Sequence, residues 1–201
     1  MTAHTRVRLS PDERRAQLLD LGVTLLATRS LDEISIDVLA EEAGISRGLL
    51  YHYFGNKHAF HEAVVRRAAD DLIAQTAPPT EGDPLERLQA SMEAYVDYVV
   101  TNYAGYRSLV KAAAGGHEGL RAIYDEVQGV LVERIFAEDE GTLTVPDTPA
   151  VRLVLRGWST MVEELVLVWC EDASGVTREE LHRMVTDSMP ALVAITLGAG
   201  A

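Results

Sequence analysis

Apolar residues recur along most of this chain at steps of three and four, and no stretch alternates apolar and polar at every second position. That pattern predicts helices and no strands. Ser10-Pro11-Asp12-Glu13 has the composition of a helix start: a serine cap, proline at the first helical position, and a glutamate able to reach back to the cap. The helix it opens runs to about Thr28 and buries Leu18, Leu19, Gly22, Val23 and Leu26. Ser30 to Glu33 makes a turn into two short segments. Ser35 caps the first, Val38, Leu39 and Ala40 form its apolar face, and Ala43-Gly44 ends it where a residue without Cβ can turn left-handed. Ser46 caps the second, in which Leu49, Leu50, Tyr53 and Phe54 recur at helical spacing. Gly55 or Asn56 then opens a fourth helix, with Phe60, Val64, Ala68 and Leu72 at four-residue steps.

Ala77-Pro78-Pro79-Thr80-Glu81-Gly82 is the one clear linker. Asp83-Pro84-x-Glu86 repeats the cap, proline and acid, and starts a helix reaching about Asn102. Further helices are expected over Tyr106 to Ala114 and over about Glu118 to Glu138, the latter with Leu120, Ile123, Val127, Val130, Leu131 and Ile135 as its apolar face. An acidic loop from Glu138 to Asp147 precedes a long helix from Thr148-Pro149 to about Asp172. Thr177-x-x-Glu180 caps a last helix, which Pro190 is expected to kink or interrupt. The reading is an all-α fold of about nine helices, in two domains spanning 1–76 and 77–201.

The two short helices hinged at Gly44 form a helix-turn-helix, whose second helix can lie in the DNA major groove. The details narrow it. Ser35, Leu39-Ala40, Ala43-Gly44-Ile45-Ser46, Gly48-x-Leu50-Tyr51, Phe54 and Lys57 stand at the spacing seen in the DNA-binding region of TetR-family transcriptional regulators, which this segment resembles. Tyr53 stands where that family usually has His, and acidic Asp37 sits where its residue is often neutral or basic; both departures bear on base preference.

The resemblance implies a DNA-binding head over 1–76 and an effector-binding and dimerisation body over 77–201. On the matching positions, Ser35 and Lys57 would contact phosphate, the first through a hydroxyl and the second as a cation at a helix start. Arg47 would read a guanine edge, since its guanidinium is bidentate. Ser46, Leu49 and His52 face the same way and would touch bases or a thymine methyl. Tyr51 and Tyr53 would reach sugar-phosphate, with packing as the alternative for both. Gly48 would let the helix approach the DNA backbone closely. Thr2 to Leu9, with Arg6 and Arg8, is a short arm read either as a groove contact or as a disordered tail.

Net charge changes this picture less than its total of −13 suggests. Residues 1–75 hold nine Lys/Arg against eleven Asp/Glu, and residues 76–201 hold nine against twenty. Ala43 to His61 contains Arg47, Lys57 and three histidines with no acid, and a phosphate-facing surface needs local positive potential rather than a positive total. The single Cys170, in an apolar stretch, excludes an internal disulfide and reads as a small buried hydrophobe. No apolar run spans a bilayer and no signal core opens the chain, so a cytoplasmic protein without membrane association is expected.

Chemistry elsewhere is sparse. His58, His61 and Glu62 are spaced like a metal cluster, but lack partner ligands and read as a solvated helix face. His117-Glu118 lacks the second histidine of a metalloprotease helix, and no nucleophile elbow, phosphate loop or dinucleotide fingerprint occurs. No enzyme, cofactor or metal is expected. In the penultimate helix Val154, Trp158, Met161, Leu165 and Trp169 form an apolar stripe opposite Arg152, Arg156, Ser159 and Glu163. The last helix adds Leu181, Met184, Val185, Met189, Leu192 and Ile195. Two such helices suit a four-helix dimer interface, as the resemblance also implies, and a homodimer brings two heads to a two-fold operator in double-stranded DNA. The resemblance further implies a pocket for an unidentified small-molecule effector, lined from among Tyr95, Tyr98, Tyr103, Tyr124, Trp158 and Met161, with plain core packing as the alternative for each. The expected function is a ligand-released repressor. An activator or ligand-independent regulator of the same kind, or a helical protein-interaction module, are the alternatives.

Overall fold

A computed structural model describes residues 10–136 and 145–198. The arm at 2–9 and most of the acidic loop from Glu138 lie outside the described residues. Nine α-helices and no strand occur among those described. In chain order they are α1 (Pro11–Leu26), α2 (Ile36–Ala43), α3 (Arg47–Phe54), α4 (Lys57–Gln75), α5 (Pro84–Thr101), α6 (Tyr103–Ala114), α7 (Glu118–Phe136), α8 (Pro149–Glu171) and α9 (Arg178–Thr196). Leu31–Glu33, expected as a turn, is a short 3₁₀ helix.

The helix starts are made by the residues that announced them. Ser10 Oγ accepts from the Glu13 amide while the Glu13 carboxylate accepts from the Ser10 amide, and the same reciprocal pair forms at Asp83/Glu86 and Thr177/Glu180. These interactions hold the carboxyls of Glu13 and Glu180 below the usual carboxylate range. In the helix-turn-helix, Ser35 accepts from the Val38 amide at 3.2 Å and Ser46 from the Leu49 amide at 3.3 Å. Between them Gly44 sits at φ +63°, and the Ile45 amide bonds Ala40 O while the Gly44 amide bonds Glu41 O. That is the paired closure of a helix turning at a left-handed residue, which a side chain at Gly44 would strain.

Three features differ from the sequence reading. The sixth helix begins at Tyr103 rather than Tyr106, so only Asn102 separates it from α5. Pro190 leaves α9 unbroken. It removes one backbone bond, but Val185, Met189 and Val193 are buried on either side, and that packing outweighs a loss of about 3 kcal/mol. His61 lies in the core instead of on a solvated face, with Nε2 2.7 Å from Ile34 O. A carbonyl only accepts, so Nε2 carries the proton, and burial lowers the pKa of this ring.

A continuous apolar core runs from the head into the body. The head core is Leu18, Leu25, Ile34, Ile36, Leu39, Leu50, Phe54, Phe60 and Val64. α4 carries it into the body by packing on α1 at one face and on α7 at another. Arg66 of α4 pairs with Glu126 of α7, and Ser108 of α6 accepts the Leu31 amide at 2.9 Å. α8 and α9 fold as an antiparallel hairpin: Trp169 Nε1 donates to Val176 O at 2.9 Å near the bend, and Trp158 Nε1 to Ser188 Oγ at 3.0 Å farther along. Cys170 is half-buried, which raises its thiol pKa.

One seam between head and body brings backbone against backbone. A Cβ at Gly105 of α6 would lie 2.5 Å from the Leu26 carbonyl oxygen. Gly105→Ala is therefore expected to cost about 1–3 kcal/mol by overpacking, since a backbone oxygen cannot swing aside. Gly129→Ala in α7, where a Cβ meets nothing within 4 Å, is expected to stabilise by about 0.5–1 kcal/mol. Thermal unfolding of the two variants should move in opposite directions. Equal midpoints would show that the seam yields.

Candidate nucleic-acid interface and ligand cavity

α3 is held to the core by Leu50 and Phe54, both buried, and its remaining surface faces outward. Ser46, Arg47, Gly48, Leu49, Tyr51 and His52 are exposed, and so is Lys57, in the first turn of α4. Seven of the nine residues read from the sequence as DNA contacts are thus exposed, on α3 or beside its two ends. Ser35 is half-buried and its oxygen is already occupied as the cap of α2. Tyr53 is half-buried and packs edge-on to His52, with ring centroids 5.7 Å apart.

One electrostatic expectation needs correction. Residues 43–61 carry no acid, but Asp37 reaches from α2 to pair with Arg47 at 2.5 Å. Sequence distance hid this, because the turn at Gly44 brings α2 alongside α3. Both partners are exposed, and such a pair contributes roughly 0–1 kcal/mol, little enough to be given up to a phosphate or a base. A Cβ at Gly48 would meet nothing within 4 Å, so no internal packing calls for glycine in this helix.

In the body a cavity of about 280 Å³ lies between α5, α7, α8 and α9. Its wall is chiefly apolar, with Leu88, Met92, Leu131, Phe136, Trp158 and Val162 among its residues, and Tyr95, Gln128 and Arg134 supply polar groups. Of the six residues read as pocket-lining, Tyr95 and Trp158 border it. The structure does not bring the other four there. Tyr98 donates to Ala68 O at 2.8 Å in the joint between α5 and α4, and burial pushes its pKa up to about 12. Tyr103 stacks under Arg107. Tyr124 points to Glu163, and Met161 is exposed on the outer side of α8.

Glu163 is the residue that helical spacing misplaced. Read as solvent-facing, it is only 5% exposed. The buried face of α8 is Val151, Leu155, Trp158, Val162 and Val166, and this arc takes in Glu163. Its carboxylate accepts from Tyr124 Oη at 2.8 Å, Tyr106 Oη at 2.9 Å and Gln128 Nε2 at 3.1 Å, and Tyr106 Oη lies 2.9 Å from Tyr95 Oη. Burial raises the Glu163 pKa, and the three donors only partly offset it. Arg134 and Gln128 were also missed. The available signal was a charged and an amide side chain on the same helical arc as Leu131 and Ile135.

Among the described residues no helix is long and apolar enough to cross a membrane, and no three His, Cys, Asp or Glu side chains are grouped to hold a metal ion. Residues 84–192 match the tetracyclin repressor-like C-terminal domain, and residues 18–64 match the bacterial regulatory proteins of the tetR family. A TetR-family transcriptional regulator from Streptomyces coelicolor shares the fold at a TM-score of 0.80 and 32% identity, over 95% of this chain and 85% of that one. The HTH-type transcriptional activator FasR of Mycolicibacterium smegmatis is 35% identical over 102 residues, 50% of this chain and 47% of FasR. The HTH-type transcriptional repressor KstR2 of the same organism is 39% identical over 90 residues, 42% of this chain and 44% of KstR2. The chain spans about half the length of these two relatives. With both family regions matched, residues 84–192 alone covering more than half of its length, the chain belongs to the TetR family of DNA-binding transcriptional regulators.

Proposed function

We propose that the protein is a cytoplasmic homodimeric repressor that binds a palindromic operator through α3 of each copy and leaves it when a small molecule fills the body cavity. The observation that carries the reading is the outward surface of α3. Arg47, Gly48, Leu49, Tyr51 and His52 stand clear of the core, and glycine at 48 costs the helix about 1 kcal/mol with no internal return. A close approach by a DNA backbone supplies the reason. Ser46 and Lys57 flank that surface, with Ser35 and Tyr53 at its edge.

Dimerisation is supported by the outer faces of α8 and α9, where Leu153, Met161, Val168, Met184 and Ile195 are exposed. A second copy related by two-fold symmetry would cover these apolar side chains with the same face. Release is supported by the cavity, whose walls come from α5, α7, α8 and α9 while α7 packs on the head-bearing α4. An effector acts by binding one arrangement of these helices better than the other. The similarity to FasR favours a second reading, in which the same DNA-bound dimer activates transcription. A reporter placed behind the selected operator, with and without the protein, separates the two.

The test is recovery of bound duplexes from a random DNA pool, followed by sequencing. A palindromic motif is the expected result, and nothing above background at low salt would overturn the proposal. On the recovered site, Arg47→Ala is expected to cost about 1–3 kcal/mol and to relax one base position, whereas Lys57→Ala weakens all sequences alike and flattens the salt dependence. Equal loss of specificity in both would refute that division.

A further inference from the structure

Two guanidiniums border the chiefly apolar cavity: Arg87 of α5, whose Nε donates to Pro79 O at 2.6 Å near the linker, and Arg134. Arg134 of α7 is half-buried and donates from Nη2 to Ile73 O at 2.6 Å and from Nη1 to Thr76 Oγ1 at 3.2 Å. Both acceptors are neutral. Elsewhere arginines are matched with acids: Arg66 with Glu126, Arg121 with Asp125, and Arg152 with Glu133 and Asp147. Among the described residues no carboxylate pairs with Arg134, in a chain holding 31 acidic residues. Burial alone acts on its pKa, lowering it while the group stays charged. A partly desolvated cation with N–H groups to spare, set in the wall of an apolar cavity, lacks the anion that usually accompanies such a group.

Resting on the reading of this cavity as the effector site, we propose that the effector is an apolar molecule ending in a carboxylate, and that Arg134 binds that carboxylate. Leu88, Met92, Leu131, Phe136 and Trp158 would take the apolar part. The two acceptors that Arg134 now holds belong to the end of α4: Ile73 O is in its last turn and Thr76 is its C-cap. The guanidinium therefore ties the cavity to the helix that carries the head. A carboxylate arriving at Arg134 competes with Ile73 O and Thr76 Oγ1, which makes the end of α4 sensitive to occupancy of the cavity.

Capping of α4 alone would account for the two contacts, and the experiment separates the cases. Binding of octanoate, decanoate and dodecanoate, below micelle formation, is measured by calorimetry on the full-length protein beside alcohols of the same chain lengths. The wild type is expected to bind the best acid at least about ten-fold more tightly than its alcohol. Arg134→Met should reduce the acid to the level of the alcohol and leave the alcohol unchanged, and Arg134→Lys should restore part of the preference. Release of the selected operator should follow the same order. Equal binding of acid and alcohol by the wild type, or an undiminished acid preference in Arg134→Met, would overturn the assignment while the cavity stood as an effector site. Failure of every acid and alcohol to bind would remove both. Circular dichroism of the two variants guards against misfolding.

Discussion

Replacing Leu153 and Ile195 together by glutamate is expected to turn the protein into a folded monomer that has lost operator binding by about 100-fold or more. The two side chains are 72% and 69% exposed in the single chain, so the monomer fold should change by no more than about 0.5 kcal/mol. In a two-fold interface every substitution appears twice, which places four carboxylates on a surface that would otherwise lose its water. Burial of unpaired charge at that surface opposes association by several kcal/mol. DNA affinity then falls because the second head is no longer delivered at high local concentration. Sedimentation velocity and a binding titration on the selected operator check the two parts. A double variant that stays dimeric would move the interface away from α8 and α9, and a monomer with undiminished affinity would end the two-headed reading.

Removing the buried carboxylate should have the largest effect on the fold itself. Glu163→Ala leaves the Tyr124 hydroxyl without its acceptor, at about 1–3 kcal/mol, while Tyr106 keeps Tyr95 Oη and Gln128 keeps Tyr124 Oη. The void left by the shortened side chain adds a cost of about 2 kcal/mol. Relief from desolvating a carboxylate offsets part of this, leaving a net loss of about 3 kcal/mol. For a chain of this size that is a fall of roughly 6–12 °C in Tm. Glu163→Gln keeps an acceptor and most of the shape, and its signature is the pH dependence. Burial raises the Glu163 pKa in the folded state, so over the window above the ordinary carboxylate value the native protein holds a proton that the unfolded chain has released. The wild type therefore has its full stability below that window and loses some as pH rises through it. The Gln variant lacks this loss. Urea unfolding at a series of pH values should show the two curves converging or crossing as pH rises, and parallel curves would mean that Glu163 titrates normally.

The helices and the recognition head are legible without coordinates because their determinants are local. A serine cap, a proline at the first helical position and an acid three residues after the cap act within one turn, and Gly44 needs only its own φ to close the helix-turn-helix. Leu50 and Phe54 point inward because helical spacing puts them there, and the same spacing leaves Arg47, Gly48, Tyr51 and His52 outside. The body is another matter. On α8 both faces carry apolar residues, so periodicity could not say that Val151, Leu155 and Trp158 face the core while Leu153, Met161 and Val168 face out. Nor could it bury Glu163, whose place depends on Tyr106, Tyr124 and Gln128 arriving from α6 and α7. Pro190 stays helical because packing on both sides outweighs a lost backbone bond, and His61 turns inward because Ile34 O, 27 residues earlier, offers an acceptor there. Arg47 meets Asp37, and Arg134 meets the end of α4, only once separate helices are laid side by side. Local backbone chemistry sets where each helix begins and which way a short one faces. Partners far apart in the chain decide which polar groups are buried, since a buried charge is tolerated only where the fold brings donors to it.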